Sequence, residues 1–249
     1  MRIHRLVPGW QVPNRMLNLL RFSRDYQQFQ RSSQSTSRQS AQWADRYPCL
    51  EDRTANTGFD RHYIYHTAWA SRVLAKLRPE KHIDISSSLY FVSNVSAFVP
   101  MEFYDYRPAN LKLDNLVGRQ ADLQDLPFED NSVESLSCMH VVEHVGLGRY
   151  GDPIDAEGDL KAMQELQRVI APGGSLLFVT PVGRPRVCFN AHRVYSYDQI
   201  LESFSDLELN EFALIPDDTE KGGLMVDPDP AIVSQQSYGC GCFWLRRAR

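Results

Sequence analysis

Two histidines and a carboxylate stand within five residues at His140-Val-Val-Glu143-His144. A histidine titrates near neutral pH and a nearby carboxylate can orient its ring, so His140 or His144 is a candidate general base, with Glu143 beside them. A glycine-rich run follows, Gly146-Leu-Gly-Arg149-Tyr150-Gly151-Asp152. Its arginine, aromatic ring and acid are the groups that hold a hydroxylated or anionic ligand, although such a run can also be a plain connector. Further on, Pro181-Val-Gly-Arg184-Pro-Arg186 and Asn190-Ala-His192-Arg193-Val-Tyr195 add three arginines, a histidine and a tyrosine. Guanidinium forks suit phosphate or carboxylate groups, and the alternative is a set of surface ion pairs to an acidic body. His62 and His66, one helical turn apart, either line the same cleft or sit on a helix surface, while His4 and His82 carry no functional signal.

His-x-x-Glu-His is also the spelling of one zinc-peptidase class, in which both histidines bind metal from one helix face. The context differs here, because Val133-Glu-Ser-Leu-Ser-Cys-Met139 reads as a strand. His140 is then expected at a strand end and Glu143-His144 in the loop or first helical turn beyond it, so no metal is expected from this motif. A supporting, structural role for Glu143-His144 is the plainer alternative.

The elements that must position these groups follow from periodicity. Asp60 is placed to cap a helix running to about Leu77, with Tyr65, Trp69, Val73 and Leu77 along one face and Pro79 as its stop. Short apolar runs then predict strands near 82–86, 100–105, 134–139, 174–180, 207–215 and 239–246. A helix with Leu160, Met163, Leu166 or Gln167, and Ile170 on one stripe is expected between the third and fourth strands, ended by Pro172-Gly173-Gly174. The last two strands are joined by about 216–237, which has no helical pattern and suits an antiparallel closing pair. Strand and helix units in this order predict an α/β fold: a Rossmann-like, mostly parallel sheet with an antiparallel closing strand and helices on both faces.

In such sheets a nucleotide-type ligand sits outside the carboxyl ends of the first strands, with an acid about 20 residues after the first loop on the ribose. Asp84 ends the first predicted strand, Asp105 the second, and Asp122 follows at the next strand-end position. The candidate cofactor-binding set is Asp84, Ser86, Ser88, Asp105, Tyr106, Asp122 and Leu123. Aspartates at strand ends also commonly cap loops. The first loop reads Asp84-Ile-Ser-Ser-Ser-Leu-Tyr90 where glycines are usual, which puts side chains where a backbone would approach the ligand.

Ala121-Asp-Leu-Gln-Asp-Leu-Pro-Phe-Glu-Asp-Asn-Ser132 and Arg168-Val-Ile-Ala-Pro-Gly-Gly174 together resemble the second half of a class I S-adenosylmethionine methyltransferase. A longer likeness runs from about Pro48 to about Ile215, carried by Asp84-Ile-Ser-Ser-Ser, Phe103-Tyr-Asp-Tyr-Arg-Pro, Ser137 to Asp152 and Phe189-Asn-Ala-His-Arg-Val-Tyr195. These segments look like domain-of-unknown-function family 268, a methyltransferase-like group associated with bacterial surface-glycan synthesis. The resemblance implies S-adenosylmethionine as cofactor and O-methyl transfer to a sugar or glycan intermediate, lipid-linked or free. The chemistry of the two loop segments makes Arg149, Tyr150, Asp152, Arg184, Arg186, Asn190, His192, Arg193 and Tyr195 the candidate substrate surface. The competing reading is an inactive methyltransferase-like module that recruits or regulates a glycosyltransferase partner.

Bulk properties set the remaining expectations. With 249 residues and 43% apolar content the chain can bury one substantial core, giving a basic extension and linker at 1–42 and a methyltransferase-like domain at 43–249. Seven arginines against Asp25 give residues 1–40 a charge of +6, so the rest carries −10 of the net −4. Residues 31–42 read as a flexible linker behind an amphipathic stretch holding Met16, Leu19, Leu20 or Phe22, Tyr26 and Phe29. The basic arm is a candidate for peripheral contact with a membrane, or is simply solvated. An acidic body without a basic, aromatic stripe argues against nucleic acid as partner. Five cysteines, no apolar leader and no membrane-length run predict a cytoplasmic location, at most peripheral to the inner membrane.

Overall fold

A computed structural model describes residues 12–249; Arg2, His4 and Arg5 of the basic arm lie outside them. The chain divides into two compact units at Phe59/Asp60, later than the sequence boundary after Gln42. In the first, α1 (Val12–Ser33) carries Tyr26, whose hydroxyl donates to Ala41 O (3.0 Å) and whose ring meets Trp43 edge-on at 5.0 Å. Asn18 Nδ2 donates to Leu50 O at 2.9 Å. Trp43 therefore belongs to the first unit. Met16, Leu17, Leu20 and Phe29 of α1 are exposed. No helix among the described residues is long and apolar enough to cross a membrane.

The second unit, Asp60–Arg249, is built on eight strands. In chain order they are β1 (His82–Ile85), β2 (Met101–Asp105), β3 (Leu116–Gln120), β4 (Val133–Met139), β5 (Ile170–Val182), β8 (Glu208–Ile215), β9 (Met225–Val226) and β10 (Gly239–Arg246). They lie in the order β3-β2-β1-β4-β5-β10-β8-β9. The first five neighbours pair in parallel, whereas β10 is antiparallel to both β5 and β8. The antiparallel strand is thus set inside the sheet. A separate hairpin joins β6 (Arg186–Cys188) to β7 (His192–Val194).

Each central strand feeds two cores, because successive side chains point to opposite faces. Leu176 and Phe178 of β5 pack with α4 (Gly158–Val169), α5 (Tyr197–Ser203) and α6 (Pro230–Ser234). Leu177 and Val179 pack with α2 (Arg61–Leu77) and α3 (Leu89–Val95) on the other side. Helices on both faces match the expected architecture. Each large core side chain such as Phe178 or Phe243 contributes about 1.5–3 kcal/mol of burial.

Asp60 caps α2 as expected, accepting Tyr63 N–H at 3.2 Å. The buried stripe of that helix is His66, Trp69, Ala70, Val73 and Leu74. Helix α4 differs from expectation: it starts at Gly158 and buries Ala162, Met163, Leu166 and Val169, leaving Leu160 exposed. Ile170 already has extended geometry, and Pro172-Gly173-Gly174 lies within the start of β5. Strand β3 was not predicted, and 216–237 holds β9 and α6 where no element was expected.

Candidate active site

The loop after β1 is where the sequence departs from a glycine-rich pattern, and the backbone keeps the geometry that glycine would favour. Ser86 has φ +56°, in the left-handed region, and its N–H donates to Tyr104 O at 2.7 Å. Asp84 does not line the cavity that this loop borders. It is fully buried, accepting Ser87 N–H (3.0 Å) at one oxygen and the Ser137 hydroxyl at the other. Burial pushes its carboxyl up to about 7, against the lowering effect of those hydrogen bonds. Ser87, outside the candidate cofactor-binding set, accepts Met139 N–H at 3.0 Å and so ties the loop to β4. Ser88 starts α3 and lines a separate groove with Thr67 and Ser71 of α2.

At the carboxyl ends of β1 and β2 and just past β3 lies a cavity of about 280 Å³, close to the lower end of small-molecule sites. Ser86, Asp105, Tyr106, Asp122 and Leu123 line it, joined by His140, His144, Tyr150 and Asp152. Five of the seven predicted cofactor positions are therefore brought together. Asp105 Oδ1 accepts Arg107 N–H at 2.7 Å, and Oδ2 has no hydrogen-bond partner among the described residues. Asp122 Oδ1 holds its own turn by accepting Gln124 N–H at 2.9 Å. Tyr63 and Arg107 also line the cavity and were missed; Arg107 stands beside Tyr106 in the quoted Phe103-to-Pro108 segment.

His140 and Glu143 are buried just past the end of β4, with His144 partly buried beside them. His140 has φ +58° and its Nδ1 lies 2.8 Å from Glu143 Oε1. A carboxylate accepts, so Nδ1 carries the proton and Nε2 presents a lone pair. His144 Nδ1 lies 2.6 Å from Ala191 O, which likewise puts the proton on Nδ1 and leaves Nε2 basic. Burial outweighs the pull of Glu143 and holds His144 below its ordinary range, hence neutral at neutral pH. Burial would raise Glu143, but the hydrogen bond from His140 and the electrostatic pull of the adjoining His140 and His144 together hold it below the usual carboxylate range. The Val142–His144 turn is a single 3-10 turn, as the sequence suggested for this stretch. The two histidines do not share one helix face.

The predicted substrate residues separate into two groups. Tyr150 lines the cavity with Arg107 and Arg149 guanidiniums 5.0 and 5.1 Å from its ring centroid. Arg149 also donates to Ala191 O at 3.0 Å. Asp152 closes its own loop, accepting the N–H groups of Gly146, Gly148 and Tyr150. Arg193 and Tyr195 are buried structural ties: Arg193 donates to Val145 O (2.6 Å) and pairs with Asp159 (3.4 Å), and Tyr195 OH donates to Asp159 at 2.9 Å. Arg186 donates to Ser237 O and lines another groove, Arg184 and Asn190 are exposed, and the His192 ring packs on Tyr238 at 4.8 Å. None of these six lines the cavity.

The family described as "Caenorhabditis protein of unknown function, DUF268" matches residues 127–209. That span includes the His140-to-Asp152 motif and Phe189-to-Tyr195 but not the Asp84 or Phe103 segments, so it is narrower than the likeness read from Pro48 to Ile215. No curated protein matches the chain. Among solved structures, the N-methyltransferase NodS of Bradyrhizobium japonicum WM9, bound to S-adenosyl-L-homocysteine, is 13% identical over 90% of this chain and 98% of that one, with a TM-score of 0.53. A geranyl diphosphate methyltransferase bound to GPP and sinefungin is 14% identical over 73% and 78% at a TM-score of 0.50. The 4+2 cyclase SpnF is 13% identical over 78% and 85%, also at 0.50. The chain has the class I methyltransferase fold. A cyclase in that company means that the fold by itself does not select a reaction.

Proposed function

We propose that the protein is an S-adenosylmethionine-dependent methyltransferase acting on a hydroxyl of a sugar or glycan intermediate of surface-polysaccharide synthesis. The observation carrying this reading is that Ser86, Asp105, Asp122 and Leu123, drawn from three successive strand ends, line one cavity walled by His140 and His144. The residues fit the cofactor: Asp105 has a free carboxylate oxygen for ribose hydroxyls, Asp122 and Leu123 offer a polar and an apolar group to the base, and Ser86 holds the turn without glycine. S-adenosylmethionine supplies the electrophilic methyl group when bound.

The acceptor hydroxyl is a poor nucleophile until its proton is withdrawn. His144 suits that task, because it lines the cavity, is held neutral by burial, and has Nδ1–H fixed on Ala191 O so that Nε2 is the free base. Two guanidiniums beside the Tyr150 ring support an acceptor with an anionic group, since arginines receive phosphate or carboxylate. Calorimetric titration of the full chain with S-adenosylmethionine and S-adenosylhomocysteine tests the reading. Micromolar binding of both is expected, abolished in Asp105→Ala without loss of fold. Silence with both ligands in a folded sample, or unchanged binding in Asp105→Ala, overturns it.

A further inference from the structure

Behind the cavity wall, side chains from three separate elements converge on a point that the methyl-transfer reading does not use. His62 comes from the first turn of α2, His140 from the end of β4 and Cys240 from the start of β10, and their ligand atoms lie within 4.8 Å of one another. His140 Nε2 is 3.4 Å from Cys240 Sγ. A tetrahedral zinc site, with metal–nitrogen about 2.0–2.1 Å and metal–sulfur about 2.3 Å, needs a nitrogen–sulfur edge of about 3.5 Å. That pair already has the required separation. The His62 ring is stacked on those of His140 (5.3 Å) and Tyr238 (5.2 Å), so it has to turn out of that stack and close by about 1 Å, a χ change open to a partly exposed side chain on a helix's first turn.

Three further features single this point out. First, His140 Nδ1–H is held by buried Glu143, so the lone pair of Nε2 is aimed at Cys240. A carboxylate holding the far nitrogen of a histidine is the arrangement that orients metal-ligating imidazoles and raises their basicity. Second, His66 is fully buried and packs its ring against that of His140 at 5.1 Å, with no well-formed hydrogen bond at either nitrogen and only a weak interaction with the His62 backbone. Buried imidazole nitrogens are normally satisfied, so this under-satisfied ring is an unusual feature to find beside the cluster. Third, His66 stands one helical turn after His62 on α2, so a further imidazole adjoins the cluster without belonging to its ligand set.

We propose that His62, His140 and Cys240 bind a soft divalent transition-metal ion of the zinc class. Two imidazoles and a thiolate exclude magnesium and calcium, which take oxygen ligands. On binding, the Sγ–H bond of Cys240 breaks, its proton leaves to solvent, and the metal takes the place that proton held between Sγ and His140 Nε2. Three protein ligands leave a fourth position for water or a substrate heteroatom, as in catalytic rather than structural zinc sites. The site shares only His140 with the His140-x-x-Glu143-His144 motif: Glu143 holds Nδ1 of His140 and lies 3.9 Å from His144 Nε2, and His144 Nδ1 is bound to Ala191 O.

The full chain, stripped with chelator and titrated with Co²⁺ and then Zn²⁺, tests this without any cofactor or acceptor. One equivalent of Co²⁺ with a thiolate-to-cobalt charge-transfer band, displaced by Zn²⁺ with release of a proton, is expected. Cys240→Ser removes the band, while Cys242→Ser, one strand residue pair away, keeps it. His62→Gln, at a partly exposed position that leaves the core untouched, lowers affinity by more than the roughly 10–100-fold that Glu143→Gln costs through orientation alone. Circular dichroism of each metal-free variant establishes that it is folded. Absence of stoichiometric binding, or a band and affinity unchanged in Cys240→Ser and His62→Gln, overturns the site. Both outcomes are independent of whether S-adenosylmethionine binds.

Discussion

Replacing Asp84 by asparagine should make the protein's stability less sensitive to alkaline pH, by an amount that follows from its surroundings. Asp84 ends a buried chain of hydrogen bonds: Ser135 Oγ meets His82 Nδ1 at 2.7 Å, His82 Nε2 meets Ser137 Oγ at 2.8 Å, and Ser137 donates to the carboxylate. Burial holds His82 neutral by lowering it to about 3, so Asp84 is the one group of this chain that ionises near neutral pH. Its carboxyl rises from 3.8 to about 7 on folding. A raised acid binds its proton more tightly in the folded state, so its stabilising contribution is complete below 3.8 and is lost as pH climbs through about 7. Three units correspond to about 4 kcal/mol in full, of which about 2–3 kcal/mol is lost between about pH 5 and pH 8. Asparagine can keep every bond, its oxygen accepting Ser87 N–H and its amide donating to Ser137, with the hydroxyl and imidazole protons reversed in direction. Urea unfolding of both proteins at about pH 5 and pH 8 should show the variant gaining about 2–3 kcal/mol on the parent as pH rises. Neutral His62 and His66, held low chiefly by burial, lose stability as pH falls below 6.5, but do so in both proteins and cancel in the difference. A difference constant to within about 0.5 kcal/mol would refute the reasoning.

Three more substitutions read the loop that carries the candidate base and the ties beneath it. Gly146 has φ +78° and a Cβ there would stand 2.0 Å from Asp155 O, whereas Gly151 has φ +87° with open space around it. Gly146→Ala should cost clearly more than the about 1–2 kcal/mol of left-handed strain expected for Gly151→Ala, as read by thermal unfolding; equal costs would show that the loop yields freely. Tyr195→Phe leaves Asp159 without its 2.9 Å hydroxyl donor inside the core and should lower stability by about 1–3 kcal/mol, and a neutral effect in denaturant unfolding would remove the structural role given to Tyr195.

What the sequence made legible follows from how local each signal is. Asp60 as a cap, the strands ending at Asp105 and Met139, and the antiparallel pairing of the last long strands rest on short-range patterns, and all are present. Strand β3 was missed because only Leu116 of its five residues is buried, so Leu-Val-Gly-Arg-Gln shows no alternation. The stripe of α4 was misplaced because Ile170 belongs to β5 and shifts the apparent register. Arg193 reads as a ligand-binding arginine in one dimension, and only the surrounding carbonyls of Val145, Asp155 and Ala156 show that it is consumed as a tie. Asp84 stands at the expected strand end, but its burial beneath Ser87 and Ser137 depends on β4 lying beside β1. His62, His140 and Cys240 are separated by long stretches of chain, and no spacing rule could have joined them.

The position of β10 has a consequence for how the molecule is made. It is the last strand in chain order, yet it lies between β5 and β8, and β8 touches β5 only through it. Vectorial synthesis therefore delivers β8 and its small partner β9 before the strand that fastens them to the sheet, leaving the β5 edge, rich in buried Leu176, Phe178 and Val182, unpaired until residues 239–246 emerge. A nascent chain stalled ahead of Gly239 would hold a complete parallel half-sheet with an adhesive rim, the form most exposed to chaperone capture and to aggregation. Arrival of β10 closes that rim and, in the same event, brings Cys240 up to His140.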